Sequence, residues 1–124
     1  MAENMWPDFD VGQAPRSPKS VIEEYGEGLG ERTKDKIQFY RSNLTIRDGK
    51  IVNVTYTLWT APLRYHYPFM SVQFPVDTGY PVKLVADKVP DMEARDENEL
   101  KTALARIFNA PSTVETIQRL LSLI

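Results

Sequence analysis

The stretch LTIRDGKIVNVTYTLW, residues 44–59, decides how the chain folds. Its second half is dense in β-branched and aromatic residues, the composition of a strand. Val52, Val54, Tyr56 and Leu58 recur at every second position, so an extended chain puts all four on one face. Leu44 and Ile46 alternate in the same way before Asp48-Gly49, a hairpin signal. The loop length follows from parity. A two-residue Asp48-Gly49 loop pairs Ile46 with Ile51 and sets Leu44 against Asn53, which mixes the two faces. A three-residue loop, Arg47-Asp48-Gly49, pairs Ile46 with Lys50 and Leu44 with Val52. The apolar residues then stay together, as register requires where one face is buried. Gly49 is expected at positive φ, with a bulge beside it.

Working upstream, Ile37 and Phe39 fall on the opposite parity from Leu44 and Ile46. The first strand therefore bulges between Arg41 and Asn43, or its first half is buried on the other face. Downstream, Ala61-Pro62 ends the second strand. Tyr65, Tyr67 and Phe69 alternate, then Met70, Val72 and Phe74 do, with Pro68 near the change. Proline cannot donate to a ladder, so Pro68 marks a bulge or an edge. Thr78-Gly79 turns the chain into a fourth strand carrying Val82, Leu84 and Ala86. Residues 87–96 read as a polar loop. Short connections between consecutive strands give an antiparallel meander.

Helices flank it. Ser17-Pro18 is a helix start, with serine as cap and proline at the first tolerated position. Ile22, Tyr25 and Leu29 follow at helical spacing. Gly26, Gly28 and Gly30 weaken that helix by roughly 1 kcal/mol each against alanine. It ends near Gly30 or Thr33 and needs packing to hold it. Asp96 with Glu99 three residues later opens a second helix, whose stripe is Leu100, Ala103, Leu104, Ile107 and Phe108. Asn109-Ala110-Pro111 stops it. Ser112 to Glu115 repeats the capping pattern, and Val114, Ile117, Leu120, Leu121 and Ile124 carry a stripe onward. The expected fold is α+β: a four-stranded, mainly antiparallel meander with an N-terminal helix and two C-terminal helices packed on one face. Residues 1–16, with Pro7, Gly12 and Pro15 and no periodicity, read as an arm. Residues 17–124 read as one domain.

Composition removes several function classes. The 124 residues include no cysteine, which excludes disulfides, zinc–thiolate sites and thiol nucleophiles. The net charge of -2 argues against a nucleic-acid partner, which calls for a basic face. The densest basic stretch, Arg32, Lys34, Lys36, Arg41, Arg47 and Lys50, is diluted by Glu31, Asp35 and Asp48. No run approaches the roughly 18 apolar residues of a membrane span. The first ten residues lack the basic start and apolar core of a secretory leader. A cytoplasmic location and no membrane partner are the expectations.

Candidate chemistry is sparse. Gly26-Glu27-Gly28-Leu29-Gly30 suggests a phosphate loop, but such a loop needs a strand before it and a helix after it. Here the order is reversed, so close helix–sheet contact or helix termination is the better account. The acidic residues Asp91, Glu93, Asp96, Glu97 and Glu99 lack the glycine turn of a calcium loop; capping and the helix dipole explain the last three. No metal site, cofactor or catalytic residue is assigned. His66, the single histidine, lies between Tyr65 and Tyr67. It is suited to proton transfer near neutral pH, and the three residues are candidates for lining a ligand pocket. Trp6 and Phe9 sit among acids in the proline-bearing arm, and are candidates for docking on a protein partner. The leading expectation is a non-enzymatic protein-interaction module. The alternative is a small-molecule-binding or acid–base enzyme domain with a pocket between sheet and helices near His66.

Overall fold

The structure, a computed structural model, describes residues 4–10, 12 and 16–124. Of the expected arm, residues 1–3, 11 and 13–15 lie outside the described residues. Helix α1 spans Pro18–Gly26 and α2 spans Gly28–Arg32. Strands β1 (Gln38–Arg47), β2 (Ile51–Thr60), β3 (Tyr65–Pro75), β4 (Val82–Ala86) and β5 (Val89–Ala94) follow. Helices α3 (Glu97–Phe108) and α4 (Pro111–Ser122) close the chain. The strands form one antiparallel sheet in the order β1-β2-β3-β4-β5. The α+β meander and its helices are as the sequence implies, with one strand more than expected.

The hairpin keeps the predicted parity but shifts its loop by one residue. Arg47 faces Ile51, Ile46 faces Val52 and Leu44 faces Val54. The three loop residues are thus Asp48, Gly49 and Lys50. Asp48 (φ 55°) and Gly49 (φ 64°) are both left-handed, and Lys50 N–H donates to Arg47 O at 3.0 Å. Two consecutive positive-φ residues are the requirement of a tight I′ turn. That tight turn leaves Lys50 as the odd residue, a solution the parity argument did not distinguish. Ser42 is the expected bulge, for the β1–β2 register shifts between Arg41 and Asn43. It turns Phe39 to the same face as Leu58. A second bulge falls between Tyr56 and Thr57, which face Met70 and Pro68. Phe69 is the extra residue, and both Phe69 and Met70 are buried.

The fifth strand corrects the polar-loop reading of 87–96. Asp87-Lys88 turns the chain, with Lys88 at φ 60°, and β5 pairs Val89 with Ala86, Met92 with Leu84 and Ala94 with Val82. Met92 and Ala94 alternate with Asp91 and Glu93, which face water, and the register shifts between Leu84 and Ala86 before Val89, so the polar half masked a half-buried strand.

The N-terminal helix begins as expected, with Ser20 N–H donating to Ser17 Oγ at 3.2 Å. It breaks at Glu27 into α1 and the short α2. Thr33 ties the end of α2 to β1: its hydroxyl donates to Leu29 O at 2.9 Å and accepts Ile37 N–H at 3.1 Å. Asp96 caps α3 by accepting Glu99 N–H at 2.8 Å, and Arg95 N–H donates back to Glu99 Oε1. Helix α4 differs from expectation. It starts at Pro111 after Ala110, without a side-chain cap. Thr113, read from sequence as part of a capping box, instead donates to Ile107 O at 2.7 Å and joins α4 to α3.

The core lies between the helices and one face of the sheet. Val21 and Ile22 of α1, and Leu100, Leu104 and Ile107 of α3, are buried with Val54, Tyr56, Leu58, Val72 and Leu84. Tyr25 belonged to the predicted apolar stripe but is exposed, its ring lying under Lys101 Nζ, 5.9 Å from the centroid. Helix α4 buries little: Leu120 is inside, Ile117 and Leu121 are half-buried, and Val114, Leu123 and Ile124 are exposed.

Candidate functional site

The core is unfinished where α2 and α4 approach the start of β1. Gly26 has no side chain, and this lets the Phe39 ring sit against the helix backbone; a Cβ there would overlap the ring. Gly30 admits the Gln38 side chain in the same way. Phe39 stacks on Tyr56 (centroids 5.0 Å, planes 16° apart) and meets Phe69 and Phe108 edge-on at 6.2 and 5.8 Å. These offset and T-shaped contacts are the favourable aromatic geometries. Phe39, Phe69 and Phe108 line a half-open cleft of about 440 Å³, together with Tyr25, Leu29, Leu58, Thr113 and Ile117. Glu31 and Arg32 stand at its rim. Beyond Arg32, Lys34 and Lys36 are exposed in the turn that leads into β1.

The candidates read from sequence fall elsewhere. None of Tyr65, His66 and Tyr67 lines the cleft. His66 faces Trp59 across the ladder, on the side of the sheet away from the helices. Its ring packs on the indole at 4.2 Å, and its Nδ1 is 2.6 Å from the Tyr40 hydroxyl. Which of the two donates depends on the imidazole tautomer. Nearby, Thr57 donates to Ser42 Oγ at 2.8 Å, and Ser42 donates to Thr55 O. The Tyr40–His66 pair joins a hydroxyl to an imidazole in an exposed position. Tyr65 is exposed. Tyr67 turns to the helix side and donates to Asp87 Oδ2 at 2.8 Å. Burial, and then that hydrogen bond, raises its phenol pKa. Among the described residues, no three His, Asp or Glu side chains gather as metal ligands.

Trp6 and Phe9 are 77% and 70% exposed. Residues 4–10 have no regular secondary structure, and both aromatics are largely uncovered by the domain. The sequence reading missed Phe39 and Phe108 as cleft walls. The glycine spacing that admits Phe39 was visible, but the bulge that turns Phe39 toward it was one of two open readings. Compared with known proteins, the chain matches no family model, no curated protein and no solved structure.

Proposed function

We propose that this domain is a non-enzymatic, cytoplasmic protein-interaction module that takes an apolar side chain of a partner in the cleft between α2, α4 and β1. The observation that supports this is a half-open space walled by Phe39, Phe69 and Phe108 beside a helix, α4, whose apolar ridge is only partly buried. An aromatic or aliphatic anchor entering such a pocket is what concentrates binding energy at interfaces. Glu31 and Arg32 line the opening, so the anchor should be flanked by polar residues that can meet both charges. His66 is on the other face of the sheet, which favours recognition over reaction as the role of the cleft.

A second reading rests on the cleft's size. A volume of about 440 Å³ falls within the usual range for small-molecule pockets, and Glu31 and Arg32 offer polar contacts at the rim. An acid–base function at His66 has the Tyr40 hydrogen bond as its support.

The absence of cysteine makes a direct test simple. A single cysteine at Ile117→Cys, carrying a photo-crosslinker, reports from the cleft, and Val85→Cys on the far face is the control. A polypeptide adduct from position 117 and none from 85 supports the interaction module. A bound small molecule in native mass spectra of the chain, displaced by labelling at 117, assigns the cleft to a ligand instead. Adducts in equal yield from both positions count against the cleft as the binding surface.

A further inference from the structure

The two edges of the sheet are guarded differently. At the β5 edge stand Pro90, Asp91 and Glu93, and α3 packs alongside. Proline and charge are the usual devices that stop an edge from pairing with another chain. Strand β1 has neither proline nor acid; its guards are the Ser42 bulge and two arginines, Arg41 and Arg47, whose charge an acidic strand would match. Residues Arg41 to Arg47 are all exposed, and beyond the Ser42 bulge Asn43–Arg47 runs in regular register. On its helix side Leu44 and Ile46 are 39% and 54% exposed, because the helix layer ends short of them. Its other side carries Asn43, Thr45 and Arg47. The edge thus offers unpaired backbone groups, two apolar side chains and, with Arg41, two positive charges.

The chain also carries a segment of matching chemistry. In Asp8-Phe9-Asp10 one apolar residue stands between two acids, and in this structure the segment is exposed and without regular structure. We propose that β1 is a pairing edge, and that Asp8–Asp10 of a second copy adds to it as a sixth strand. Phe9 then pairs with Ile46, with Leu44 as its diagonal neighbour. The period of two puts Asp8 and Asp10 on the opposite face, beside Thr45 and Arg47. Donor and acceptor are both uncovered on one chain, so two copies satisfy each other by reciprocal exchange of arms, a closed two-fold arrangement. Each arm then raises the effective concentration of the other. The contact is strand addition and is independent of the cleft.

Sedimentation equilibrium of the full chain at submillimolar concentration tests this. A monomer–dimer equilibrium is expected, abolished by deleting residues 1–12 and by Ile46→Lys, an exposed position where the fold should tolerate charge. Asp8→Lys with Asp10→Lys should weaken the dimer at least about tenfold, and adding Arg47→Glu should recover most of that loss. A dimer that survives arm deletion but not Ile46→Lys would give the edge to β1 of the second copy and overturn the arm's role. A strictly monomeric chain overturns the second-copy assignment, including the case in which arm deletion still exposes β1 amides to hydrogen exchange, which would put the arm on its own edge.

Discussion

At Gly26 one hydrogen atom decides whether an aromatic ring reaches a helix. The Phe39 ring occupies the space that a Cβ would need. Gly26→Ala gains helix propensity but forces a packed ring to move, so a net loss of about 1–3 kcal/mol is expected. Gly28, one residue past the break, meets nothing within 4 Å. Gly28→Ala should therefore stabilise by roughly 0.5–1 kcal/mol, and urea unfolding of the pair checks the opposite signs. Tyr56 supplies a pH prediction. Burial first, then the charge and hydrogen bond of Glu23, raise its phenol above the ordinary 10.0. Burial also raises Tyr80, with Glu97 and Asp96 adding to it. A raised folded-state pKa means that the native chain holds the proton more tightly than the unfolded chain. The resulting stability is complete below pH 10 and is lost as pH rises beyond it. Urea midpoints should fall above about pH 10, and Tyr56→Phe should make that fall shallower.

Among the elements, the first hairpin was the most legible because parity alone fixes which residues share a face. Leu44, Val52 and Val54 do share one. The loop moved by a residue because Asp, like glycine, tolerates a left-handed backbone, and the reading gave only Gly49 that role. With Gly49 at φ 64° and open space around it, Gly49→Val meets backbone strain and no clash. A loss of about 1–2 kcal/mol is expected, read from thermal or urea midpoints. Strand β5 was hidden by Pro90, Asp91 and Glu93, the residues that also guard its edge. The cap of α4 misled for a related reason. Ser112 to Glu115 has a capping pattern, but Pro111 already fits the first helical turn, and Thr113 is drawn to an orphan carbonyl of α3.

For the whole molecule, layer order and the helical stripes could be read from periodicity, whereas the cleft could not. Its walls come from α1, α2, β1, β2, β3, α3 and α4, and only their packing leaves the space between them open. Phe108 illustrates the difference. Its spacing marked it as core, yet it is half-buried and walls the cleft. Phe108→Ala should then cost about 1–3 kcal/mol, below the range for a fully buried phenylalanine, and it should enlarge the cleft. The arm gives a clearer expectation at this scale. Trp6 and Phe9 are mostly exposed, so removing residues 1–12 should leave the thermal midpoint of the dilute chain nearly unchanged. Differential scanning calorimetry decides this, and a large drop would make the arm a strap across the domain.

Chain order and sheet order are the same from β1 to β5. Every ladder can therefore form by zipping outward from its own turn, with little entropy spent on closing long loops. Mean sequence separation between partners stays small for a sheet protein, and folding speed rises as that separation falls. Refolding should be faster than that of Greek-key sheets of the same length. The step that joins distant parts of the chain is the meeting of α1 with α3, and substitutions at Ile22 or Leu104 are where folding rate, rather than unfolding rate, is expected to respond.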